Sequence, residues 1–403
     1  MESNSKNLLY KIPQQLFATE IISNYLSCNE LYTLNTSLSN RKLRKEYFNN
    51  ILNYVILDSV IINNDSQALE LHKKGIKLRK LLRSNCAIRS LSDNGINMLL
   101  HTDILSLNLD ESEITDITIY NIAKNCKNLE SISLKKCNIS HNSLLILTKN
   151  CTKLKSLNLE NCSLRTEDTE KHLQYILDIK YTNDNEETII LKKQILHFYN
   201  KNIKELNLAK CNFISHGLQY MNKLEYLNLN NNNYITDSSL KYFKNLTNLK
   251  ELHIKNWELT LDGIIYLCEH NQLNNLIALS IDATLYENEE NVAIKLISNT
   301  FQKLIYLDLG LIEIYDSLIN YISKKIHSLE TLTFKVLDTN NGDSYISDIS
   351  IINLLEQCKN LKSLKIENFE LKYYIYEYLS YKYPDCKIIT DSIKPFSRLF
   401  NDI

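Results

Sequence analysis

Apolar residues recur along most of this chain in one register, Leu-x-x-Leu-x-Leu-x-x-Cys/Asn-x-Leu/Ile. Clean copies begin at Ile104, Leu129, Leu154, Ile203, Leu224, Leu249, Leu276, Leu304, Leu329 and Leu361. Inside each copy the x-Leu-x-Leu-x core has period two. Ile132 and Leu134 therefore point to one side and Ser131, Ser133 and Lys135 to the other, as in a half-buried strand. A helix-start signal comes after the strand: Ile-Thr-Asp at 114–116 and 235–237, Ile-Ser-His at 139–141 and 214–216, Ile-Ser-Asp at 346–348. Ser or Thr there accepts a hydrogen bond from an exposed helix N–H. An apolar stripe at helical spacing comes next, as at Ile119, Ile122, Ala123 and Cys126.

Two copies are weaker. One begins at Leu78, with Arg83 at its third apolar position. The other fits the 49-residue gap between Leu154 and Ile203, as Ile176, Ile179, Tyr181 and Asp184, with a stripe at Leu191, Ile195, Phe198 and Tyr199 after it. With them, twelve copies cover residues 78 to about 385, the last step stretched by a loop at 339–344. No single copy can bury its own apolar face, so neighbours must stack. The expected fold class is α/β: a solenoid with a parallel inner sheet and helices on the convex side, a horseshoe.

Cysteine recurs at two places in this register. Cys126 falls on the buried helix stripe and Cys137 at the turn after the next strand. The turn slot holds Cys86, Ser112, Cys137, Cys162, Asp184, Cys211 and Asn232 in turn, and Trp257 opens a less regular second half. A position where thiol, hydroxyl and amide interchange reads as one that satisfies backbone groups at a strand end; a metal ligand would not interchange, and structural thiols are expected over a disulfide. The repeat resembles the cysteine-containing class of leucine-rich repeats. That class is similar to the repeats placed after an F-box in many ubiquitin-ligase substrate receptors, and the closing segment 383–389 looks like the terminal strand of such receptors.

Residues 1–57 do not share the repeat. Pro13 suits the first position of a helix, and Ser27-Cys28-Asn29-Glu30 forms a capping box before a second. A third helix fits 41–52, giving a small three-helix module. Its Ile12-Pro13, Leu16, Ile22, Tyr25-Leu26, Glu30-Leu31 and Leu34, with basic residues at 41–45 after them, resemble an F-box. It departs from that pattern in a Glu where Asp is usual, in Ser37 at an apolar place, and in lacking the customary Trp. The resemblance implies that Pro13, Leu16, Ile22, Leu26, Leu31 and Leu34 contact a Skp-type adaptor within a cullin complex. Residues 58–77 are expected as a connecting helix with Gly75 as its C-cap, 78–385 as the solenoid, and 386–403 as a terminal strand and tail.

Composition narrows the function. The chain has 403 residues, a net charge of −1, and only six glycines and three prolines. This excludes low-complexity classes and any general attraction to nucleic-acid phosphate. No apolar run approaches a membrane span and the first residues lack a signal-peptide core, so an intracellular location, cytoplasmic or nuclear, and reduced cysteines are expected. There is no phosphate loop, no Cys-x-x-Cys, no His-Glu-x-x-His and no nucleophile elbow. No catalytic residue, metal or cofactor is assigned. The outward strand positions are polar and of mixed sign, which suits protein recognition. Asn158, Asn207, Tyr226, Asn228, His253, Tyr306 and Asp308 are the candidate target-binding residues, with the aromatic ones as anchors. The resulting expectation is a non-catalytic substrate receptor of a Skp–cullin–F-box ubiquitin ligase. The alternative is a leucine-rich-repeat scaffold or inhibitor whose N-terminal helices only cap the solenoid.

Overall fold

The computed structural model describes residues 54–82, 91–165, 201–211, 216–232, 236–255, 259–270, 272–286, 289–336 and 346–394. These fall into two compact units, one ending at Glu205 and the other beginning at Leu206.

The first unit contains strands β1 (Ile56–Ile61), β2 (Lys77–Leu82), β3 (Ser106–Asn108), β4 (Ser131–Ser133), β5 (Asn138–Ser140), β6 (Ser156–Asn158) and β7 (Ser163–Arg165). β1, β2, β3, β4 and β6 pair in that order, all parallel, while β5 and β7 form a separate two-stranded ladder. The register matches leucine to leucine: Leu57 with Leu78, Leu81 with Leu107, Leu107 with Ile132 and Ile132 with Leu157. All of these side chains are buried. Helices Asp65–Lys73, Asp93–Leu99, Asp116–Asn125 and His141–Asn150 alternate with the strands, and each packs on the next.

Strand β8 (Glu205–Asn207) lies at the division. The second unit continues with β9 (Tyr226–Asn228), β10 (Glu251–Ile254), β11 (Ala278–Ile281), β12 (Tyr306–Glu313), β13 (Thr331–Lys335), β14 (Ser363–Lys372) and β15 (Lys387–Lys394). Each is parallel to the next. Alternating parallel strands and packed helices give each unit the architecture of a leucine-rich-repeat solenoid. Among the described residues no helix is long and apolar enough to cross a membrane.

Three details differ from the sequence expectation. The span 58–77 begins in a strand, because Leu57, Val60 and Ile62 are all buried in the same Leu-x-x-Leu-x-Leu spacing. A further strand–helix pair therefore precedes Leu78; its helix ends at Lys73 with Lys74 as C-cap, and Gly75, expected as the cap, follows in the left-handed conformation with φ 69°. The repeats starting at Ile203 and Leu224 carry 3₁₀ turns, His216–Tyr220 and Asp237–Phe243, in place of α-helices. Strands β12 and β14, whose turn slots hold apolar Ile312 and Phe369 as the sequence shows, run on to eight and ten residues with register shifts. The degenerate copy at 176–199, Cys86, Trp257 and the 339–344 loop lie outside the described residues.

The turn-slot cysteines serve the backbone. The Cys137 thiol donates to the Leu109 carbonyl at 3.1 Å and Cys162 to that of Leu134 at 2.8 Å. The Asn232 side chain does the same, its Nδ2 donating to Leu208 O at 3.0 Å and Leu229 O at 2.6 Å. Cys126, Cys151 and Cys358 close helices at buried positions, where burial pushes their thiols up to about 12, 11 and 11. Thiols so held are protonated and unreactive at neutral pH.

The helix-start residues do more than cap their own helix. Thr115, Ser140 and Ser347 accept N–H bonds from the first turn of their own helices. In addition, the Asp that opens one helix accepts from the cap of the next. Asp65 receives Ser92 N–H at 2.8 Å and its hydroxyl at 2.5 Å. Asp93 receives Thr115 N–H at 2.8 Å and its hydroxyl at 2.7 Å. Asp237 receives the Thr260 hydroxyl at 2.6 Å, while Asp116 and Asp316 take the N–H groups of Ser140 and Ser347 at 2.7 Å each. Burial opposes the charge on Asp93, but bonds from Thr115 and Thr118 outweigh it and hold the carboxyl below its ordinary value. The relay needs room for the incoming carboxylate. A Cβ on Gly95 would overlap Asp65, and one on Gly263 would overlap Asp237. Gly263→Ala is expected to cost about 1–3 kcal/mol, the range for overpacking, read as a lower urea midpoint by circular dichroism. An unchanged midpoint would show that the relay bears no load.

Candidate functional site

The strand positions that point away from the helices form the candidate surface. Much of its polar central column is occupied in shaping turns. The side-chain oxygens of Asn158, Asn207 and Asn228 each accept the N–H two residues on, from Glu160, Ala209 and Asn230, at 3.0 Å. Asp308 accepts from Gly310 at 3.1 Å in the same way. A short amide or carboxylate at a strand end turns the chain by this bond. Asn158 also donates to Ser133 Oγ at 2.9 Å within the first unit. The three asparagines proposed from sequence as recognition residues thus have a local backbone role.

Strands β9 to β12 bring the other candidates together. The rings of Tyr226 and His253 lie on neighbouring strands with centroids 5.5 Å apart. His253 and Tyr306 lie two strands apart, yet their centroids are within 6.2 Å in an edge-to-face arrangement. This is possible because β11 contributes only Ala278 and Ser280 between them. Ser280 is 2% exposed, and its hydroxyl is 2.8 Å from His253 Nδ1. The Tyr306 hydroxyl reaches toward Asp308 Oδ2 at 3.5 Å.

An ion pair lies beside the rings. Lys255 Nζ is 3.0 Å from both carboxylate oxygens of Asp308 and reaches across β11 to do so. Gly310 makes space for it: a Cβ there would press on Asp282 and on Lys255 Cε. Glu251 is different, because its ion contact is His253 Nε2 at 4.0 Å. Burial lowers the His253 pKa, and the opposing pull of Glu251 and Asp308 does not reverse that. The imidazole is therefore neutral near pH 7 and gives Glu251 no counter-charge. Burial, then the Asp308 charge, raises the Tyr306 hydroxyl, so it stays a protonated donor.

No family model matches the chain, and no curated protein matches it in sequence. Among solved structures it is similar to an internalin from Listeria monocytogenes, at 18% identity over 85% of this chain and 81% of that one, with a TM-score of 0.43. It is also similar to a chain of the yeast Rad7–Elc1 complex, at 19% identity over 93% of this chain and 96% of that one, with a TM-score of 0.48.

Of the residues proposed from sequence, the structure gathers Tyr226, His253, Tyr306 and Asp308, with Asn228 at the margin on β9. Asn158 belongs to the first unit and Asn207 to β8. Pro13, Leu16, Ile22, Leu26, Leu31 and Leu34 lie outside the described residues. Glu251, Lys255 and Ser280 were not foreseen. Their signal lay in comparing columns, where a small residue on β11 separates two strands bearing rings. Lys255→Met leaves Asp308 buried without its cation. Removing one partner of a fully buried pair costs about 3–5 kcal/mol, and solvent reaching Lys255 reduces this to about 1–3. Adding Asp308→Asn should restore most of that loss, because Asn228 and Asn207 make the same turn. A single variant as stable as the parent in urea would refute the ion pair's role.

Proposed function

We propose that the chain is a protein-recognition subunit that holds its partner on the strand face of the second unit. The observation that carries this reading is the β9–β12 cluster: three rings, an unneutralised carboxylate and hydroxyl donors on a rigid parallel sheet. Tyrosine with polar groups at its rim is the composition that dominates protein interfaces. Asn207, Asn228 and Asp308, and Asn158 on the first unit, shape turns while offering amide and carboxylate edges to a partner.

The finer reading adds a ubiquitin-ligase role. The F-box-like pattern in residues 1–57 supports adaptor binding through Pro13, Leu16, Ile22, Leu26, Leu31 and Leu34, with a cullin complex beyond the adaptor. In that role the chain carries no catalytic group. It raises the effective concentration of its target near a conjugating enzyme supplied by other subunits. Such a protein would work inside the cell.

The test is co-purification of the full chain with a Skp-type adaptor, compared with a Leu31→Asp/Leu34→Asp variant. The expected result is adaptor capture by the parent and at least tenfold less by the variant, with an unchanged circular dichroism spectrum. A folded parent that captures no adaptor would remove the ligase role, leaving a scaffold or inhibitor. Unfolding of the variant would assign the two leucines to the core, and Leu16→Ala, read in the same assay, then decides.

A further inference from the structure

Among the described residues of the ring cluster, Glu251 has no lysine or arginine within ion-pair distance. Just past the end of β10, Lys255 is committed to Asp308 on β12. Lys250 is committed to Glu225 at 2.6 Å, and Lys365 on β14 to Glu367 at 2.5 Å. Lys335 on β13 acts on Glu367 as well. Among the described residues, the one ion contact of Glu251 is the neutral imidazole of His253, and its side chain is 45% exposed. The half-buried rings of Tyr226 and Tyr306 flank the same spot on β9 and β12. A carboxylate seeking a counter-ion between two electron-rich ring faces fits one class of group.

We propose that this face takes a cationic side chain of the bound protein, an arginine above all, stacked on the Tyr226 and Tyr306 rings with Glu251 as its counter-ion. This deepens the recognition reading above and rests on it. Guanidinium suits the site better than ammonium because it is planar, weakly hydrated, and can stack and fork to a carboxylate at once. A phosphorylated or acidic side chain at this spot is disfavoured by the Glu251 carboxylate. His253 makes the site pH-sensitive with a definite sign. Its neutral form is held by burial, so the site is intact at neutral pH. As pH falls through its lowered pKa, the imidazolium becomes the partner of Glu251 and repels the incoming cation.

The test uses the full chain and three fluorescein-labelled Gly-Ser peptides carrying arginine, its neutral isostere citrulline, or glutamate at the same positions. Anisotropy should show binding of the arginine peptide and none of the other two. Glu251→Gln should weaken binding about tenfold, as for loss of one charge-assisted hydrogen bond, and Tyr226→Leu about two- to fivefold, as for loss of one cation–π contact. Glu130→Gln, in the first unit, should change nothing. Arginine binding should fall on acidification in the parent, and less steeply in Glu251→Gln. Equal binding of the citrulline peptide, preference for the glutamate peptide, no binding of any peptide, or indifference to Glu251→Gln would each overturn the proposal. A photo-cross-linker at position 226 separates this failure from that of the recognition reading. A partner captured there without arginine preference removes the cation alone. No capture, from position 226 or from a second linker at position 251, removes both.

Discussion

Every repeat of this protein leaves its leucines and its backbone donors to be completed by the next one. Leu134 N–H donates to Asn158 O at 2.9 Å, and Leu229 N–H to His253 O at 2.8 Å. The side chains of the same leucines are buried. Burying one leucine is worth about 1.5–3 kcal/mol, and no repeat holds enough of them alone to offset the entropy of ordering twenty-odd residues. The Asp-to-cap relay completes the helix layer in the same manner, with Asp65, Asp93 and Asp237 each tying the start of the next repeat. Stability is thus a property of interfaces between neighbours.

That arrangement frees one surface. Because the fold is carried by the leucines, the turn slot and the caps, the outward strand positions can vary without breaking it. They do vary: serine dominates the first column in β3, β4 and β6, while β9 and β12 bear Tyr226 and Tyr306. The small side chains of β11 let rings from the strands on either side meet above a buried serine. The ring cluster thus occupies spare positions on a sheet whose geometry is already fixed by other residues.

Much of this was legible in the chain itself. The leucine period placed the strands, and Thr115, Ser140 and Ser347 began their helices where the cap signals stood. Interchange of Cys137 with Asn232 correctly implied a backbone role, because both reach the same carbonyl position. β1 was missed because Val60 and Ile62 stand where leucine was sought. The carboxylate relay was invisible because its partners lie 22 to 31 residues apart and leave no local pattern. Lys255 and Asp308 are separated by 53 residues, and only the register of β10, β11 and β12 makes them neighbours. Of the candidate site, the three rings could be read from the sequence, although they stand in two columns, Tyr226 and Tyr306 in line with Glu251 and His253 in line with Asp308; that the neighbour of Glu251 is a buried imidazole needed the structure.

The whole fold turns on its register: Leu227 faces the core, and Asn228, one residue on, faces out and shapes a turn without filling the core. Urea unfolding of Leu227→Asp and Asn228→Asp, monitored by circular dichroism, measures it directly. Leu227→Asp is expected to abolish the cooperative transition, while Asn228→Asp keeps the parent midpoint, since Asp308 already makes the same turn. Equal loss in both variants, or greater loss at Asn228, would contradict it.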